Sequence, residues 1–311
     1  YQYTADREFR RLHAHAVSYL EPINRDWSFQ TYGSWARVDP IVNVGVEQSG
    51  ESWQAGLGMF RHLVKNRKED TALSFGFDFK TTNNNLEFGG IRVSDSRADL
   101  AQLRFGIQSI KRYRCDAYSI FSFDTFIGPG EGFTKYANDD DFATIRPGAT
   151  ADYVYGRLLA ERMWTLPNDW LLMGRFRGQA SSERLLFSET LGFGGYDSIR
   201  GYDQRSFSGD NGWILNVELG PKIWRKCLCN KSQTLRVYGL FDAGTGYIKS
   251  PRLSFEPADE TLMSAGAGMR WNLSDRANLR VDYAYGIDDT LFYDEGGRVH
   301  VGFVGLFGPR P

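Results

Sequence analysis

Apolar and polar residues alternate one for one along this chain, run after run, and a period of two leaves few folds open. Leu73, Phe75, Phe77 and Phe79 stand against Ser74, Gly76, Asp78 and Lys80. Ala101, Leu103, Phe105 and Ile107 alternate with Gln102, Arg104, Gly106 and Gln108, and Leu279, Val281, Tyr283 and Tyr285 with Arg280, Asp282, Ala284 and Gly286. Successive side chains of a strand point to opposite faces, so each run has one apolar and one polar face, whereas a helix would scatter the same residues all round. The pattern predicts thirteen strands, near residues 7–20, 26–38, 53–65, 71–81, 100–113, 116–126, 151–164, 169–181, 212–224, 235–247, 261–273, 277–287 and 298–307.

The connections between these runs are sided. Short ones (22–26, 65–70, 114–115, 165–168, 274–276) alternate with long ones (39–52, 82–99, 127–150, 182–211, 248–260, 288–297), and only 225–234 blurs the rule. Long strands with short turns at one end and long loops at the other describe an antiparallel transmembrane β-barrel of the outer membrane, loops outside and turns in the periplasm. A soluble sandwich or propeller would carry shorter strands, about 5–6 residues, and no sided loop lengths. All eight tryptophans, Trp27, Trp35, Trp53, Trp164, Trp170, Trp213, Trp224 and Trp271, fall near strand ends, where an interfacial girdle needs them. Composition agrees: 15% aromatic residues and 34 glycines coexist with a mean hydropathy of −0.43, the average over a greasy and a wet face. No apolar run reaches the roughly 18 residues of a membrane helix. The net charge of −1 gives no reason to expect a nucleic-acid partner.

Strand parity makes 7–20 a descending strand, with Tyr1 to Thr4 as the end of an earlier, ascending one. A closed bacterial barrel has an even strand count, so we expect residues 1–311 to be one barrel domain whose first strands, and any periplasmic modules, lie outside this chain.

The longest loop carries the motif. It reads Gly194-Gly195-Tyr196-Asp197-Ser198-Ile199-Arg200-Gly201-Tyr202, then Ser208-Gly209-Asp210-Asn211-Gly212-Trp213. Gly-x-Gly within it does not make a phosphate loop, since Asp197 stands at the sixth position and no helix follows. The stretch resembles the inward-folded loop of the outer-membrane assembly and secretion superfamily, with its V/I-R-G-Y/F tetrapeptide. The Gly209-Asp210-Asn211-Gly212 stretch is similar to the branch serving two-partner secretion, the TpsB transporters of FhaC/ShlB type. A second superfamily motif, F/G-x-D-x-G, is matched by Leu240-Phe241-Asp242-Ala243-Gly244, with Leu240 in place of the usual Phe or Gly. Phe303 and Phe307 resemble the terminal-strand signal. The resemblance implies sixteen strands, of which this chain holds the last thirteen or fourteen, and a pairing of Arg200 with Asp242. Parity places Asp242 on the polar, inward face with Arg236, Tyr238 and Gly244.

The resemblance further implies a pore that secretes a partner exoprotein, works among outer-membrane lipid and lipopolysaccharide, and is built by the barrel assembly machinery. A barrel-assembly insertase of the same superfamily and a passive porin are the rival readings. No Ser/His/Asp arrangement suggests an enzyme, and no cofactor or metal site is expected: the three cysteines form no CxxC pair, and a strained link between Cys227 and Cys229 is not expected. His13, His15, His62 and His300 read as ordinary strand residues. Asp139-Asp140-Asp141 reads as a solvated acidic tip, with a cation site as the alternative. Inward Arg104, Arg175, Arg177, Arg236, Arg270, Arg280, Glu218, Asp78 and Asp282 either line a conduit for an unfolded chain or brace a water-filled pore.

Overall fold

The structure is a computed structural model and describes residues 1–5, 12–38, 46–88, 91–114, 116–228, 231–250, 256–274, 276–288 and 296–306. Among these residues fourteen strands form one antiparallel sheet in chain order. Its first nine are β1 (Gln2–Ala5), β2 (Leu12–Pro22), β3 (Trp27–Val38), β4 (Val46–Lys65), β5 (Glu69–Phe88), β6 (Ile91–Arg112), β7 (Tyr118–Pro129), β8 (Asp152–Thr165) and β9 (Trp170–Ser181). A separate hairpin follows, β10 (Leu191–Phe193) with β11 (Phe207–Gly209). The large sheet resumes with β12 (Asn211–Leu228), β13 (Lys231–Tyr247), β14 (Asp259–Ser274), β15 (Ala277–Gly286) and β16 (Gly296–Gly305). The expected stub at the start is β1, which pairs with β2 through Gln2 to Ala16 and Ala5 to His13.

The sheet is curled. Tyr118 on β7 and Asn278 on β15 line the same cavity of about 550 Å³, although six strand spacings of about 4.8 Å would hold them some 29 Å apart on a flat sheet. Alternation sorts the two faces as the sequence demands. Phe241 is 40% exposed on the outer face while its neighbour Asp242 is fully buried on the inner one. Trp27, Trp164, Trp170, Trp224 and Trp271 stand near the short-turn ends of their strands, and Trp35 and Trp213 near the long-loop ends, with Trp53 opposite Trp35. The short turns are held by side chains: Asn24 Oδ1 accepts from Asp26 N and Trp27 N, and Asn66 Oδ1 from Lys68 N and Glu69 N, all at 2.9 Å.

Four connections depart from expectation. β4, β5 and β6 run for 20, 20 and 22 residues and overrun the stretches 39–52 and 82–99 read as loops. Their added stretches are mostly polar, with Ser49 to Ser52 and Thr82 to Asn85 polar or glycine at both parities, so the ladder continues from Trp53↔Thr81 out to Val46↔Phe88 with little alternation to betray it. Residues 225–228 and 231–234 are also ladder, with Leu228 opposite Lys231, so Cys227 is a strand residue rather than a turn residue. Loop 127–150 contains a short helix, α1 (Asp139–Ile145), capped by Asn138, whose side chain accepts from Asp141 N at 2.9 Å. The acidic triplet is therefore the helix's first turn, where carboxylates meet the positive end of the dipole.

Candidate functional site

Loop 182–211 is a small folded unit laid against the inner face. β10 and β11 form its stem, and residues 194–206 knot its tip: Gly195 N lies 3.1 Å from both Ile199 O and Tyr202 O, and Arg205 N donates to Gly194 O at 3.3 Å. Gly194 and Gly195 sit at φ +94° and +101°, conformations that residues with a Cβ rarely adopt, so the stem turns into the knot there. Phe193, Ile199, Tyr202 and Phe207 pack with Ile214 of β12 and Leu262 of β14, which gives the tip an apolar core of its own. Gly201 presses backbone to backbone on the wall; a Cβ there would lie 2.5 Å from Gly286 N and 2.7 Å from Gly286 Cα.

This packing drives Arg200, 2% exposed, into a nest of carboxylates. Its Nε donates to Asp242 Oδ2 and its Nη2 to Asp242 Oδ1, both at 2.7 Å, the two-point geometry that suits a guanidinium on a carboxylate. Its backbone N reaches Asp242 Oδ2 at 3.1 Å. Nη1 meets Glu218 Oε1 at 2.9 Å and Asp282 Oδ2 at 3.2 Å. His300 Nε2 lies 2.7 Å from Arg200 O, so that nitrogen carries the proton. One residue thus ties the loop to β12, β13, β15 and β16. The acceptors are held in turn: Asn216 Nδ2 on Asp242 at 2.7 Å, Arg270 Nη2 on Glu218 at 2.8 Å, and Arg280 Nε and Tyr238 Oη on Asp282 at 2.7 and 2.5 Å. The Tyr202 hydroxyl sits 3.0 Å from Met263 O and accepts from Asp288 N at 3.0 Å, and Asn216 also holds Ser198 O at 2.7 Å. Leu240 and Gly244 share the inner face with Asp242; Gly244 packs where a Cβ would meet Ile199 at 3.2 Å.

Two further anchors were not read from the sequence. Glu189, fully buried near the loop's start, accepts from Lys80 Nζ on β5 at 2.7 Å and Tyr155 Oη on β8 at 2.5 Å, with Gln102 Nε2 on β6 at 3.4 Å. Burial would push its carboxyl up, but Lys80, Tyr155 and Arg157 hold it below the ordinary value. The loop therefore gives an anion to the β5–β8 wall and a cation to the β12–β16 wall. The second anchor is Arg146, at the end of α1 and 1% exposed, whose Nη1 and Nη2 reach Asp210 Oδ1 and Oδ2 at 2.5 and 3.1 Å. Asp210 also accepts from Leu185 N at 3.0 Å and Lys249 N at 2.9 Å, so the carboxylate between Gly209 and Gly212 joins three long loops. Arg184 adds a two-point contact to Glu256 at 2.5 and 2.7 Å.

Of the remaining expectations, Phe303 lies on the exposed face of β16, while Phe307, Cys115 and Cys229 lie outside the described residues. Arg175, Arg236 and Arg270 are engaged in ion pairs within the wall, while Glu218, Asp282 and Arg280 also pair with Arg200 or Asp197 of the loop. His300 is more than a strand residue, since it caps the Arg200 carbonyl. Among the described residues no three His, Cys, Asp or Glu side chains group as a metal site requires.

Residues 1–271 match the haemolysin secretion/activation family ShlB/FhaC/HecB. The chain is 26% identical over 275 residues to the outer-membrane protein assembly factor BamA of Nitratidesulfovibrio vulgaris, an alignment that takes in 81% of this chain and 33% of that protein. Its fold matches CdiB from Escherichia coli with a TM-score of 0.74 at 19% identity, over 94% of this chain and 53% of that one. CdiB from Acinetobacter baumannii follows at 0.66 and 19%, over 94% and 49%. The chain thus spans a third to about half the length of these relatives. It belongs to the ShlB/FhaC/HecB haemolysin secretion/activation family of Gram-negative outer-membrane β-barrels.

Proposed function

We propose that this chain is the pore-forming barrel region of a two-partner secretion transporter, passing one exoprotein from the periplasm to the cell surface. Short turns face the periplasm, long loops face outside, and residues 1–311 form one barrel domain that further strands complete. The single observation that carries the reading is the Arg200 hub: a folded loop lies against the inner face and is held there by a buried cation whose acceptors come from three strands, with His300 of a fourth donating to its carbonyl. Such a loop narrows the passage at rest and is the part that must yield or rearrange when a chain passes. Gly194, Gly195, Ser198, Ile199, Gly201 and Tyr202 shape and seat the tip, while Asp242, with Leu240 and Gly244 beside it, receives it. The outward aromatic face contacts lipid and lipopolysaccharide, and the barrel assembly machinery inserts the chain.

The BamA relative favours a second reading, an insertase for other barrels. Deleting the gene in its host and comparing secreted and outer-membrane proteomes separates the two. A transporter loses one large exoprotein from the medium and cell surface with other barrels at normal abundance. A general fall in outer-membrane barrels would replace the secretion reading by the insertase.

A further inference from the structure

The 550 Å³ cavity at the short-turn end lies beyond the Arg200 hub and is not explained by loop anchoring. Arg236, Arg270 and Lys222 reach it, with Asp116 in the adjoining turn paired to Lys222. Arg200, Arg236, Arg270 and Arg280 face Asp242, Glu218, Asp282 and Asp197, the last paired with Arg280 at 3.6 Å, and among the described residues no carboxylate but Glu218 pairs with Arg236 or Arg270. Arg200 takes Asp242 in two-point contact and Arg280 takes Asp282, so Arg236 and Arg270 are left to share Glu218. Arg270 holds it at 2.8 Å and Arg236 only at 3.4 Å. The other Arg236 contacts are two backbone carbonyls, Leu171 O at 3.2 Å and Glu218 O at 3.4 Å, and the face of the Tyr238 ring at 4.8 Å; among the described residues its Nε has no hydrogen-bond partner although the residue is buried. A buried guanidinium satisfied by long contacts, beside an open cavity, is a group waiting for an anion.

We infer that this cavity binds the carboxylate of an acidic side chain on an extended polypeptide entering from the short-turn end. This rests on the secretion reading and adds to it a recognition step at the mouth. Arg236 and Arg270 take the carboxylate. Tyr118, Met163 and Leu171, which pack as one apolar cluster with Met173, form the ledge for the side chain's methylenes. Asn272 and Asn278 supply amides for the peptide backbone.

The test uses the purified protein in neutral detergent micelles and two blocked pentapeptides, Ala-Ala-Glu-Ala-Ala and Ala-Ala-Gln-Ala-Ala, titrated while the arginine Nε–H resonances are followed by NMR. The glutamate peptide binds about tenfold more tightly, the equivalent of about 1.4 kcal/mol, and shifts the Arg236 signal. Arg236→Gln and Arg270→Gln each remove the preference, Arg270→Lys keeps part of it, and Arg25→Gln, in an exposed turn at the same end, leaves it intact. Equal affinity for the two peptides overturns the inference, as does a preference that survives both glutamine variants. Competition of the glutamate peptide by phosphatidylglycerol added to the micelles assigns the cavity to a lipid headgroup and overturns it too. Binding that persists while the host proteome shows no lost exoprotein sinks the secretion reading and leaves the carboxylate site standing.

Discussion

Truncating the two partners of the hub, Arg200→Ala and Asp242→Ala, should have unequal consequences, and the inequality follows from who keeps what. Without Arg200, Glu218 retains Arg270 and Arg236, and Asp282 retains Arg280 and Tyr238. Asp242 retains only Asn216 and the backbone N of residue 200 and has lost its cation while fully buried. Stranding a buried charge costs about 3–5 kcal/mol, which moves the balance between seated and released loop by roughly two to three and a half powers of ten. Without Asp242, Arg200 still bonds Glu218 and Asp282 through Nη1, so the loss is about 1–3 kcal/mol for hydrogen bonds to a charged group. The double variant leaves neither charge stranded and should cost less than the sum. The assay places a thiol at buried Ser198 by Ser198→Cys, with Cys115, Cys227 and Cys229 changed to serine, and measures labelling by a small maleimide in micelles. Labelling should accelerate most for Arg200→Ala, less for the double variant than additivity requires, and least for Asp242→Ala. If Asp242→Ala exposes the thiol as much as Arg200→Ala does, the carboxylates of β12 and β15 hold nothing and the hub reasoning is refuted.

Three further outcomes follow from the same contacts. Gly201→Ala puts a methyl 2.5 Å from Gly286 N, a backbone atom that cannot swing aside, so the tip should unseat by about 1–3 kcal/mol, read as faster amide exchange at Ile199 and Tyr202. The Glu189 carboxyl titrates below its unfolded value of 4.5, so its anchor is at full strength above pH 4.5 and weakens as pH falls through the lowered folded value; Lys80→Met should abolish that acid dependence of Ser198→Cys labelling. Arg146→Met strands Asp210 among three loops at a cost of about 3–5 kcal/mol, and limited proteolysis should then cut both 127–150 and 182–211, where a cut confined to one loop would break the proposed coupling.

The parts of this fold that were legible in the sequence are those whose two faces meet different solvents. β5 announces itself through Phe75, Phe77 and Phe79 only as far as the apolar band extends; beyond it Thr81, Thr82 and Asn83 are polar at either parity, and the strand continues on backbone pairing that leaves no trace in the side-chain pattern. Asp242 was readable as inward because Phe241 beside it had to face out. Arg200 was readable through its motif, but Glu189 and Arg146 were not, since they stand in loops without periodicity and their partners lie 109 and 64 residues away. The signal that existed was a mismatch: Asp210, fixed in a glycine-rich motif, is a buried carboxylate in need of a cation, and the sequence offers 37 lysines and arginines to choose from. Curling the sheet is what selects one.

The Arg200 hub also bears on the order in which the molecule is made. Arg200 precedes in the chain every strand that receives it, and its last contact, His300 donating to its backbone carbonyl, belongs to the final strand of the sheet. A growing or partly threaded sheet therefore carries an incompletely sheltered guanidinium on a folded tip until β15 brings Asp282, and an uncapped Arg200 carbonyl until β16 is in place. Seating of the loop is a proofreading event, sensitive in the middle of the molecule to an omission at its far edge.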